Sequence, residues 1–160
     1  MNPWTKRPMV RRFAAACLIV IFGLLSACSG DPGTGPLEVK WDRFTCERCR
    51  MVLSDRQHAA QVRIPASDLR SRVLFFDDLG CAVIWLQQQD DVPGTEIWVN
   101  DWRDGNWIDA RSAHYLAGQH TPMGYGLGAQ SEPAPEAIGF DQAREQILAQ
   151  ETGHHRHATH

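Results

Sequence analysis

Cys46, Cys49 and Met51 put three sulfur-bearing side chains into the stretch Thr-Cys-Glu-Arg-Cys-Arg-Met at 45–51. A Cys-x-x-Cys pair serves dithiol redox chemistry, half of a zinc site, or a clamp for a soft metal. In extended chain residues 49 and 51 point to the same side, so Cys49 and Met51 present two sulfurs together. Cys46 joins them if the Cys-x-x-Cys is a turn. Thiolate and thioether donors suit monovalent copper. A structural zinc site asks for four Cys or His ligands, usually as two local pairs. Only one pair is present, and Cys81 with a histidine such as His58 or His114 would have to complete it. Dithiol exchange asks for the first thiol at a helix start within a βαβ setting. Here the pair sits in strand or turn, with Arg48 and Arg50 as the available thiolate-stabilising charges.

Two more sulfurs lie further along. Met123 sits in the polar, glycine-rich segment TPMGYGLGAQ at 121–130, where Gly124, Gly126 and Gly128 are expected to leave the backbone approachable. Methionine more often fills a core, but such a segment offers little core to fill. Cys81 is the other, and it reads equally as a small buried hydrophobe.

The compartment follows from the first residues. Lys6, Arg7, Arg11 and Arg12 precede an apolar run at 13–25. That run is short for a bilayer span and has the flanks of a secretory signal. Leu25-Ser26-Ala27-Cys28 resembles a bacterial lipobox, which implies a signal peptide over 1–27 and a lipid on Cys28. Ser29 after the lipidated cysteine favours the outer membrane, facing the periplasm. With the signal and Cys28 set aside, three cysteines remain, an odd number for a disulfide framework in an oxidising compartment. The part after residue 27 holds 12 Lys and Arg against 19 Asp and Glu, and that acidity argues against nucleic acid as a partner.

The elements that must position these residues can be read coarsely. Residues 28–36 are expected to be a lipidated, flexible tether. HAAQVRI at 58–64, RVLFF at 72–76 and TEIWVNDW at 95–102 read as strands. Residues 76–89 read as a helix capped by Asp77 or Asp78, apolar on two sides, with Cys81 off the main stripe. Residues 106–118 fit extended chain or a short helix. Residues 140–150 read as an amphipathic helix on Phe140, Ala143 and Ile147, and 151–160 as a disordered, His-rich tail. FDDLGCAVIWL at 76 and FDQAREQILAQ at 140 both follow a Met-containing segment ending in Ala-Gln. That echo suggests an α+β fold of two duplicated units, 37–102 and 103–150.

CERCRM, FFDDLGC, VNDW with NWIDARSAHYL, and TPMGYGLGA, in this order behind a lipobox, resemble the NosL lipoproteins. The resemblance spans about 37–130. It implies a Cu(I) chaperone for maturation of nitrous oxide reductase, with the Nos membrane machinery or the reductase as partner and membrane attachment through lipid. It also implies two ββαβ-type units similar to the organomercurial lyase MerB. Copper ligands would come from Cys46, Cys49, Met51, Cys81 and Met123. The family pattern is Cys-x-x-Cys-Gly-Met, and Arg50 stands here at the glycine. The alternative from the residues themselves is a periplasmic thiol-disulfide oxidoreductase using Cys46 and Cys49. A carbon–mercury lyase built on Cys49, Cys81 and Asp77 or Asp78 rests on fold analogy alone.

Overall fold

The computed structural model describes residues 31–66 and 71–157, with side chains through residue 153. The leader over 1–27, Cys28, and the side chains of the His-rich end fall outside the described residues.

Four antiparallel strands form the main sheet in the order β2-β1-β3-β4: β1 (Ala60–Pro65), β2 (Ser71–Phe76), β3 (Glu96–Asn100) and β4 (Trp107–Asp109). Ala60 pairs with Phe76 on one side and Val99 on the other, and Val62 with Leu74 and Ile97. This register aligns the apolar set of all three strands on one face, as a period of two requires. Helix α1 (Leu79–Gln87) packs on β1 and β2, and every residue from Leu79 to Ile84 is buried. The helix is therefore covered on two sides, as its sequence predicts.

The opposite face carries Gln61 and Arg63, both buried. Each finds backbone partners in the segment before the first strand. Gln61 accepts from the Leu37 N–H at 2.9 Å and donates to the Leu37 carbonyl at 2.8 Å. Arg63 Nε donates to the Gly35 carbonyl at 2.7 Å, and Gly35 N–H donates to Glu96 at 2.7 Å. The end of the expected tether is thus laid against the sheet, because two long polar side chains there need partners when buried.

A second sheet pairs β5 (His114–Ala117) with β6 (Leu127–Gln130). The undecided stretch at 106–118 resolves into β4, a turn and β5. The second half of the glycine-rich segment is strand, not open loop. Gly128 allows this: a Cβ there would lie 2.7 Å from the Gln119 side chain and 3.0 Å from the Trp102 ring. Helix α2 (Phe140–His157) buries Ala143 and Ile147 and packs on α1 and β5. It runs beyond the expected end at residue 150, and Glu151 in that extra turn has partners across the molecule. The described residues from Gly33 onward form one compact unit, an α+β domain of antiparallel sheets with two helices.

Candidate metal centre

The Cys-x-x-Cys segment is a tight hairpin. Thr45 and Val52 form an antiparallel bridge, and Leu53 N–H donates to the Phe44 carbonyl at 2.9 Å. Inside it, Cys46 N–H donates to the Met51 carbonyl at 2.8 Å and Arg50 N–H to the Cys46 carbonyl at 3.1 Å. Closing so short a loop requires one left-handed residue, and Arg50 is that residue, at φ 65°. The hairpin docks on β2 through Glu47 N–H to the Phe75 carbonyl, 2.8 Å, and through Phe44 against the Phe75 ring, 4.7 Å between centroids.

This docking brings the hairpin to the junction of β2 and α1. Strand β2 ends at Phe76, and the two aspartates that follow take different tasks. Asp78 is the N-cap: its Oδ1 accepts from Gly80 N–H at 2.8 Å, and its Oδ2 accepts from Met123 N–H at 3.1 Å. Asp77 is buried and turns to the cysteines, accepting from Cys49 Sγ at 3.3 Å. Cys81 lies in the first turn of α1. One ligand atom from each of Cys46, Cys49, Cys81 and Asp77 lies within 4.8 Å of all the others. That is a donor set able to hold a metal ion, beside a helix N-terminus that favours negative charge.

All three thiols are free. Their proton affinities differ sharply. Cys46 falls to about 6, chiefly because the Cys81 thiol donates to it, against burial, with help from the N–H groups of Cys49 and Asp77. Cys49 is pushed up to about 12, first by burial. Cys81 is pushed far up by its hydrogen bond to Cys46 and then by burial. Of the three, Cys46 is therefore the thiol that gives up its proton most readily.

Arg48 closes one side. Its Nη2 meets Glu151 at 2.5 Å and its Nη1 the Tyr125 hydroxyl at 3.3 Å, while that hydroxyl donates to Glu151 at 2.8 Å. Burial works against the Arg48 charge, and Tyr125, Cys81 and Glu151 more than offset it. The Tyr125 ring packs against Gly80, where a Cβ would sit 2.1 Å from it. Gly80 therefore gives the ring its seat over the first turn of α1.

The residues read from sequence are distributed unevenly. Cys46 and Cys81 are fully buried, and Cys49 is half-buried. Met51 is 44% exposed and contributes its backbone to the hairpin. Met123 is partly buried against the core and tied to Asp78. Neither His58 nor His114 belongs to the four-residue cluster. Asp77 is the donor that sequence reasoning treated only as a cap or an acid. Its signal was the spacing to Cys81, one helical turn, beside an Asp78 that already suffices for capping.

Among the described residues, no helix is long and apolar enough to cross a membrane. Comparison with curated proteins gives no match. The family model NosL matches residues 37–144, which takes in the hairpin, the aspartate pair, Cys81 and the strand carrying Ala129. Members of that family are generally accessory copper-binding proteins rather than enzymes, with a role accessory to nitrous oxide reductase. With three cysteines and an aspartate gathered at the first turn of α1, the chain belongs to the NosL family.

Proposed function

We propose that this protein is a lipid-anchored, periplasm-facing carrier that takes up Cu(I) on Cys46, Cys49 and Cys81 and passes it on for maturation of nitrous oxide reductase, without catalytic turnover. The observation that carries the reading is the convergence of three thiols from two distant segments within 4.8 Å. Soft thiolates are the donors Cu(I) prefers. Loading displaces the protons held by Cys49 and Cys81, so affinity is expected to climb with pH. Met51 is assigned as the outer sulfur that meets the ion on its way to Cys49, and Met123 as a second, inner thioether. Cys28 is assigned the lipid, the leader is assigned to 1–27, and the outer membrane is the destination. Each helix follows an antiparallel hairpin, β1-β2 then α1 and β5-β6 then α2, which supports two duplicated units at 37–102 and 103–150.

Thiol-disulfide exchange is less well supported. The thiolate, Cys46, is fully buried, and the accessible thiol, Cys49, is held protonated by burial. An exchange enzyme needs the reverse. Zinc keeps one observation in its favour. Asp77 adds an oxygen to three sulfurs, a four-donor set of a kind zinc accepts.

The test is titration of the reduced chain from residue 29 onward with Cu(I) and with Zn(II), each against a coloured chelator. Cu(I) binding that collapses in Cys46→Ala, Cys49→Ala and Cys81→Ala supports the carrier. Tight Zn(II) binding with weak Cu(I) binding selects zinc. Keeping residue 151 matters, since Glu151 holds Arg48 in place.

A further inference from the structure

The centre is closed on one side and open on another. Cys46 and Cys81 have no exposure, and Arg48, Tyr125 and Glu151 interlock beside Cys81. Cys49 alone of the three reaches toward solvent, and the hairpin continues from it into Arg50, Met51 and Val52. Met51 and Val52 are two of the three large hydrophobic residues exposed among those described, at 44% and 49%. Two adjacent exposed apolar side chains beside a metal-ligand set are an outlier in a domain that otherwise buries its apolar residues.

The segment that carries them differs in charge from the segment that follows it. Residues 37–76 carry eight Lys and Arg against five Asp and Glu, whereas residues 77–160 carry four against thirteen. On the hairpin and the adjoining strand, Arg43, Arg50 and Arg72 are exposed. Glu47 serves both Arg50 at 3.5 Å and Arg72 at 3.6 Å, and with exposed Asp42 beside Arg43 the three arginines still outnumber the two carboxylates. A positive rim on an otherwise acidic protein steers acidic partners to that rim and turns its own acidic surface away.

We propose that the Cys49 side of the centre is a docking lip for a metal-accepting protein with an acidic face, Met51 and Val52 forming the apolar contact and Arg43, Arg50 and Arg72 the charged rim. This rests on the carrier reading for its purpose but not for its detection. A protein is favoured over an anionic membrane because release of a thiolate-bound ion needs competing ligands, which a lipid headgroup does not offer. The rim's aliphatic and thioether contacts also lack the Trp and Tyr typical of interfacial anchoring.

The experiment uses the reduced, metal-free protein with isotope-labelled methionine methyls, the Met51 signal being assigned by Met51→Leu. Two synthetic peptides serve as probes, each with a Cys-x-x-Cys acceptor, one flanked by glutamates and one by lysines. The glutamate peptide is expected to shift the Met51 methyl signal and to bind at least about ten-fold tighter at low salt. The gap is expected to shrink as salt is raised. Arg50→Glu with Arg72→Glu, or Arg72→Glu alone if the pair misfolds, is expected to reverse or abolish the preference. Equal response to both peptides, or a preference untouched by these variants, overturns the proposal. So does a Met51 shift produced by anionic phospholipid vesicles and not by the peptide, or by raising protein concentration alone. Because no metal is used, failure of copper loading would sink the carrier reading and leave this result readable.

Discussion

Arg50 occupies a backbone conformation, φ 65°, that costs an L-residue about 1–2 kcal/mol and costs glycine little. The hairpin needs that conformation, which explains why a glycine fits the position and why Arg50 strains it. Arg50→Gly is expected to raise unfolding free energy by about 1 kcal/mol in a denaturant titration. A loss of stability would mean that its contact with Glu47 outweighs the strain. Asp77 and Asp78, adjacent in sequence, separate in the same way. Asp77→Asn is expected to weaken Zn(II) by more than the ~10–100-fold typical of an outer-shell partner, while Cu(I) on three thiolates changes little. Equal losses for both ions would make Asp77 a ligand of either. At this scale the sequence showed the sulfur-bearing types but not which segments converge. The chain turns at Arg50, and Asp77 and Cys81 join Cys49 from the β2–α1 junction and the first turn of α1, a convergence no local spacing displays.

Strands β1, β2, β3 and helix α1 were legible because each carries an unbroken apolar period matched to its pairing. After residue 103 the amphipathic period of α2 was legible too, but the strands were not, since they are short and β6 carries Gly128. Gly128 looked like loop because its role, seating Trp102 and Gln119, belongs to packing and not to periodicity. Asp101 is the joint between the two sheets. It is 1% exposed and accepts from Arg103 Nε at 2.9 Å, Arg103 Nη2 at 2.7 Å and Ser131 N–H at 3.0 Å. The Arg103 guanidinium holds its carboxyl well below the usual carboxylate range, against burial. A depressed folded pKa gives stability that is complete above the ordinary value of about 3.9 and declines as pH falls through the folded one. Asp101→Asn is expected to cost about 1–2 kcal/mol near neutral pH, Arg103 being solvent-exposed, and to flatten the acid limb of the stability profile. An unchanged acid limb would remove Asp101 from that role. Element α2 has its own test, because its extra turn reaches the centre. Glu151→Gln is expected to loosen Arg48 and quicken Cu(I) release to a chelator while leaving thermal unfolding nearly unchanged. Release at the parent rate would make the Arg48 contact merely structural.

Across the whole molecule, the centre depends on a fold that brings four separate segments together. The hairpin supplies Cys46 and Cys49, the β2–α1 junction supplies Asp77 and Cys81, and α2 with the Tyr125 segment closes the back. Burial of two thiols shields them from oxidants, and half-exposure of the third leaves a way in and out. The same arrangement argues against redox turnover, since the reactive thiolate is the inaccessible one. Family membership was legible from the ordered motifs CERCRM, FFDDLGC and TPMGYGLGA, which fall within the matched residues 37–144. The basic lip was not, because charge along a chain becomes a surface only after folding. The most direct measurement is X-ray absorption on the Cu(I)-loaded protein, paired with chelator competition, for the parent and for Cys81→Ala. A centre built on Cys46, Cys49 and Cys81 gives an all-sulfur copper shell that loses one sulfur and much of its affinity in Cys81→Ala. Parent-like affinity and an unchanged sulfur count in that variant would contradict it.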